Sequence, residues 1–102
     1  MGLSVALQTA DCTMTDHVHD PDNVLHRLLP SHEDKSSSCL RHIDWYGDTV
    51  FNRLQMEDFL KEWERVATRV STPEESALLG KIRSLAERCR DQPHLYLRFV
   101  GD

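Results

Sequence analysis

The apolar residues change their spacing twice along this chain, and the changes separate strands from helices. Near the start, Leu3, Val5 and Leu7 alternate with small or polar neighbours, the period-two mark of a half-buried strand. Thr9-Ala10-Asp11 has the residues of a turn, and Thr13 to Val18, rich in β-branched side chains, reads as the second arm of a hairpin. Asp20-Pro21 then signals a helix start, with Asp20 as N-cap and Pro21 at the first helical position, where a missing N–H costs nothing. Val24, Leu25, Leu28 and Leu29 give this helix one apolar face, and Pro30 ends it. Ser31 to Ser38 is polar and serine-rich, the composition of a mobile surface loop. Cys39 to Trp45 reads as a strand and Tyr46-Gly47-Asp48 as a turn. Thr49-Val50-Phe51 reads as either a short returning strand or an extended lead-in.

From Asn52 the spacing lengthens. Leu54, Phe59, Leu60, Trp63, Val66, Ala67 and Val70 fall on one helical stripe, with Asn52 and Gln55 placed as a capping-box pair and Glu57–Lys61 as an outer i,i+4 pair. Ser71 ends this helix. Thr72-Pro73-Glu74-Glu75 starts the next, with Thr72 as cap and Glu75 reaching back, and the short connection predicts an antiparallel helical pair. Leu78, Leu79, Ile82, Leu85, Ala86 and Cys89 form its apolar face. Gly80 interrupts that face at a cost of about 1 kcal/mol relative to alanine, which suggests a close neighbour. Asp91-Gln92-Pro93 breaks the helix. In the strand that follows, Leu95, Leu97 and Phe99 point one way and Tyr96 and Arg98 the other. The order is β-β-α-β-(β)-α-α-β, without an internal repeat. It predicts an α+β fold: an antiparallel or mixed sheet of roughly three to five strands, a C-terminal helical hairpin on one face, and a partly wet second face.

A chain of 102 residues, 39% of them hydrophobic, fits one domain over residues 1–102 with a modest core. No apolar run approaches the roughly 18 residues of a membrane span. The first residues lack the basic region of a signal peptide, and Ala6 stands where myristoylation calls for Ser or Thr. Cys12, Cys39 and Cys89 are odd in number and far apart, which argues against a disulfide framework and for a reducing, cytoplasmic setting.

The net charge of −5 is uneven. Residues 1–52 hold eight acids and three bases (3 − 8 = −5), while residues 53–102 hold nine of each. An acidic first half disfavours nucleic acid and favours a basic protein partner, or is simply a well-solvated face. The four arginines Arg83, Arg88, Arg90 and Arg98 do not form a basic patch, since they alternate with acids or sit near a helix C-terminus.

Three groups of residues are candidates for chemistry. His17 and His19 share a strand face and, with Asp22 or His26, offer ligands to a transition metal, although the spacing matches no zinc-finger or metalloprotease motif. Asp44 and Asp48 flank a turn and offer an acid pair, or else satisfy the N–H groups of that turn. Cys39 and His42 face opposite sides of the expected strand and should not meet. No nucleotide-binding or nucleophile-elbow motif occurs, and no cofactor is expected. Asp44, Trp45, Tyr46 and Asp48 together form the candidate binding surface, an aromatic pair with an acidic rim. The competing reading makes Trp45 core, binds Tyr46 locally and gives Gly47 a positive φ.

The run Ile43-Asp44-Trp45-Tyr46-Gly47-Asp48-Thr49-Val50-Phe51-Asn52, then Gln55, and the ending from Pro93 to Asp102 resemble a family of small bacterial proteins with no assigned activity, over most of residues 24–102. The resemblance implies a bacterial, cytosolic, stand-alone domain and transfers no functional residue. The expectation is a non-catalytic, acidic protein-interaction module, comparable in size and charge with immunity or antitoxin proteins. It would bind a basic protein or a second copy of itself, and neither nucleic acid nor membrane. The alternatives are a metal-binding protein using His17, His19 and Asp22, and a small enzyme using Asp44 and Asp48.

Overall fold

The computed structural model describes residues 3–20 and 22–101. β1 (Ser4–Thr9) and β2 (Met14–His19) form the expected hairpin. Its turn is closed by hydrogen bonds from Thr9 N to Thr13 O (2.9 Å) and from Cys12 N to Thr9 O (3.0 Å), with Cys12 in the left-handed region at φ 69°. β3 (Asp48–Phe51) and β4 (Leu95–Val100) complete a fully antiparallel sheet of order β2-β1-β4-β3. The residues 49–51, open to two readings in the sequence, are therefore a strand, pairing Thr49 with Phe99 and Phe51 with Leu97.

Side chains alternate between the two faces of the central strands, but β1 is not half-buried as expected: Ala6 and Gln8 are buried on one face as Val5 and Leu7 are on the other. Val5 and Leu7 of β1, Leu97 and Phe99 of β4 and Phe51 of β3 are buried on one face. Two helices cover that face: α2 (Met56–Ala67) and α3 (Pro73–Asp91). Phe59 of α2 lies 5.5 Å from Phe51 and 6.0 Å from Phe99, and stacks on Trp63 at 5.4 Å. The Trp63 indole N–H donates to Leu79 O at 3.1 Å, so the one polar atom of the largest core side chain is satisfied. No helix among the described residues is long and apolar enough to cross a membrane.

Several boundaries differ from the sequence reading. The first helix, α1, spans only Val24–Leu28, and the position assigned to Pro21 lies outside the described residues. Asn23, not Asp20, is the N-cap residue, but the Asp20 carboxylate reaches the helix start and accepts from Val24 N at 2.9 Å and Leu25 N at 2.8 Å. Cys39 to Trp45 is not a strand but a 3-10 turn over Leu40–His42 with irregular chain on either side. The segment buries Cys39, Leu40 and Ile43 rather than alternate residues, and its first N–H groups are held by a side chain from α2.

Asn52 and Gln55 form the expected capping box, but a 3-10 turn over Arg53–Gln55 precedes α2. That step carries Leu54 off the apolar stripe and leaves it 78% exposed. α2 ends at Ala67, itself exposed, so the connection to α3 runs over residues 68–72 and is longer than expected. Thr72 caps α3 through Glu75 N, while the Glu75 carboxylate reaches one residue further back, to Ser71 N at 2.8 Å. Gly80 does not mark close packing, because a Cβ built there meets nothing within 4 Å.

That open space makes Gly80→Ala a gain in helix propensity without a clash. The substitution should stabilise the fold by about 0.8–1 kcal/mol. In a chain of this size, thermal unfolding followed by circular dichroism should then show Tm rising by about 4–8 °C.

Candidate functional site

The geometry of the Tyr46 turn begins with a glutamate on α2. Glu62 is only 4% exposed and faces the segment expected to be a mobile loop. Its carboxylate accepts from Ser38 N (3.1 Å), Ser38 Oγ (2.9 Å), Cys39 N (2.9 Å) and Leu40 N (3.1 Å), and from the Ser37 hydroxyl. Burial alone would raise the pKa of this acid. The donors from Ser37, Leu40, Ser38 and Cys39 outweigh burial and hold it below the ordinary value. Arg65 of α2 also donates to Ser36 O at 3.2 Å, and Arg69, just past α2, donates to Leu28 O at the end of α1 at 3.1 Å.

The chain then reaches the turn in a fixed position. Asp44 N donates to Thr49 Oγ1 and Tyr46 N donates to Asp44 Oδ1, each at 2.9 Å. Gly101 N, just past β4, donates to Gly47 O at 2.7 Å. A side chain at Gly101 would meet Gly47 O and Trp45 O at 2.6 Å, so only glycine lets the two backbones approach this closely. Gly47 does not have the positive φ expected of it; a Cβ there would instead meet the Asp44 carboxylate at 2.8 Å.

The four candidate binding residues thus separate. Trp45 is half-buried, edge-on to His26 at 4.9 Å, and packs against the core, whereas Tyr46 is 83% exposed. Asp44 is engaged within its own turn. Asp48 pairs with Arg98, which also donates to Gln8 Oε1 at 2.6 Å. Each of the two carboxylates has its own partner. On the same sheet face, opposite Arg98, Val50 is exposed.

His17 and His19 do share a side of β2, with rings 6.2 Å apart and nearly parallel, and Asp22 is exposed beyond the strand. His19 Nδ1 lies 2.9 Å from Ser4 Oγ. Among the described residues no group of three or more His, Cys, Asp or Glu side chains is gathered to hold a metal ion. Cys39 is buried with its thiol toward Gln55 O, whereas His42 is exposed. Burial, reinforced at Cys39 by the Glu62 charge, raises both buried thiols, Cys39 and Cys89, to about 11. Neither is appreciably a thiolate at neutral pH.

The charge imbalance between the halves is partly compensated by folding. Asp16 pairs with Arg88 at 2.8 Å, Asp48 pairs with Arg98, and Asp20 is committed to the start of α1. In the other direction, Arg27 pairs with the buried Glu75 at 2.8 Å. The N–H of Ser71 and the Arg27 guanidinium lower the Glu75 pKa to about 2. No family model, curated protein or solved structure matches the chain.

Sequence reasoning missed the roles of Glu62, which holds residues 37–40 ahead of the turn, and of Gly101, which lies against the turn backbone. A glutamate inside an otherwise apolar stripe, next to Trp63, was the available signal for the first; nothing local marked the second.

Glu62 has a folded-state pKa below its unfolded one, so it stabilises the fold fully above the ordinary value of 4.5. That contribution disappears as pH falls through the lower folded-state value. Glu62→Gln should cost about 2–4 kcal/mol at pH 7, because an amide cannot accept from all these donors. Urea unfolding from pH 7 to pH 2.5 should show the gap between wild type and variant narrowing once pH drops below about 4.5.

Proposed function

We propose that this chain is a non-catalytic protein-interaction module of bacterial, cytoplasmic type, comparable with immunity or antitoxin proteins, and that Tyr46 anchors its partner. The observation that carries this reading is the 83% exposure of Tyr46 on a turn held from both sides by hydrogen bonds. An outward aromatic side chain on ordered backbone has few rotatable bonds to fix on binding, and aromatic residues dominate the energetics of protein interfaces. Val50 extends the apolar contact along β3, and Asp44 supplies an acidic margin. A net charge of −5 favours a basic partner and sets an association rate that falls with salt.

Affinity purification from the native host, with wild-type and Tyr46→Ala baits at low and high salt, tests this. A basic protein should be retained by the wild type and lost by the variant. The loss in affinity should be about 2 kcal/mol, or roughly 30-fold, by calorimetry. The Tm should not change, since the Tyr46 side chain is exposed. A partner held equally by both baits, or no enriched partner at any salt, would refute the reading.

A further inference from the structure

β3 leaves the ladder at Phe51, the last residue paired with β4, while β4 continues back through Tyr96 and Leu95 to the turn at Pro93-His94. The chain after Phe51 turns into the capped 3-10 step instead of following β4. A cleft of about 290 Å³ opens where the two segments part, with Asn52, Arg53 and Leu54 on one side and His94, Leu95 and Tyr96 on the other. No capping function is left over here, because the Asn52 and Gln55 side chains already satisfy each other's backbone N–H.

Three observations about this cleft converge. Its charge is opposite to that of the whole protein: in a chain of net −5, the ionisable groups along it are Arg53, His94 and Tyr96, and no carboxylate lines it. Arg53 forms no ion pair or side-chain hydrogen bond among the described residues, so its guanidinium is available. His94 holds a left-handed backbone at φ 67°, a conformation that is costly for a residue with a Cβ and that glycine or asparagine would adopt with less strain. Apart from Asn52, whose side chain is engaged in the capping box, the remaining lining is apolar, with Leu54 78% exposed.

We infer that this cleft binds a small organic anion. Its carboxylate or phosphate head would lie against Arg53 and His94, and its apolar or aromatic body against Leu54 and the Tyr96 ring. Arg53 offers the paired N–H donors that match a carboxylate or phosphate, and charge-assisted hydrogen bonds of this kind are the stronger class. The site is separate from Tyr46 and does not depend on the interaction reading above.

Phenyl phosphate and benzoate are suitable probes, with inorganic phosphate and benzyl alcohol isolating the head and the body. Titrations of the ¹⁵N-labelled full chain should give saturable shifts with at least one aromatic anion, confined to the amides of residues 52–55 and 94–96. Phenyl phosphate and benzoate distinguish which head is preferred. Benzyl alcohol should bind at least tenfold more weakly than the better anion, and so should inorganic phosphate. Arg53→Gln, at an exposed residue, should weaken binding at least tenfold with Tm unchanged. His94→Asn should raise Tm by relieving the backbone while weakening binding; a purely structural role for His94 would give only the rise in Tm. The inference fails if neither aromatic anion saturates by about 10 mM, a limit near the weakest specific affinities. It fails equally if inorganic phosphate or benzyl alcohol binds as well, or if Arg53→Gln binds as tightly as wild type.

Discussion

The buried carboxylate of Glu62 is the constraint on which the less regular half of the molecule depends. An anion removed from water costs several kcal/mol unless hydrogen bonds replace its hydration. The backbone N–H groups at the start of a 3-10 turn have no partners within the turn. Each problem solves the other: residues 37–40 direct their donors at Glu62, and Glu62 accepts them. The serines of this segment, which read as a solvated loop, are the ligands of an internal anion. Once residues 37–40 are held, burial of Leu40 and Ile43 carries the chain to Asp44, and the Tyr46 turn inherits its position from α2.

A second set of links joins the two halves of the sequence. Arg27–Glu75, Asp16–Arg88 and Asp48–Arg98 all connect residues before position 52 with residues after it. Asp16–Arg88 and Asp48–Arg98, whose carboxylates are exposed, add little stability individually, whereas the Glu75 carboxylate is buried. The effect of Asp16–Arg88 and Asp48–Arg98 on the surface is larger, because these two bring arginines from the balanced half onto acids of the negative half, while Arg27–Glu75 runs the other way. Charge counted along the chain therefore overstates the contrast between surfaces in the folded protein. The more informative electrostatic feature is local: Arg53 and His94 line one cleft whose lining holds no carboxylate.

What was legible in the sequence follows the range of the interactions involved. Alternation in β4, the Asn52–Gln55 box and the Thr72 cap depend on neighbours within a few residues, and each is present, whereas β1, expected to be half-buried, is buried on both faces. The segment Cys39–Trp45 was misread because its conformation is set by Glu62, more than twenty positions away, and no local spacing records that. Glycine shows the same division. Gly80 looked like a packing glycine yet has open space, while Gly101, unmarked by any motif, lies against the backbone of Trp45 and Gly47. At the candidate site, the reading of Trp45 as core agrees with its half-buried place against the core, while Tyr46 is exposed rather than bound locally. The division of Asp44 and Asp48 between separate partners required β4, and so was not legible.

The exposed apolar side chains gain meaning from where they sit. Tyr46, Val50 and Leu54 lie before, on and just after β3, a four-residue strand at the edge of the sheet. Edge strands of natural proteins are commonly kept short or charged, which limits uncontrolled pairing, and β3 is short and carries Asp48. Its ends are nonetheless firmly fixed, by Asp44, Thr49 and Gly101 on one side and by Asn52 and Gln55 on the other. Such rigidity has a direct energetic consequence. A flexible segment must be ordered when it binds, which offsets much of the gain from covering apolar surface, whereas a pre-ordered segment retains that gain. Tyr46 and Leu54 are exposed on backbone that folding has already ordered, so covering either would return nearly its full hydrophobic contribution, about 25 cal/mol for each Å² removed from water. That economy makes the two ends of β3, more than the acidic composition of the first half, the places where this fold is prepared for recognition.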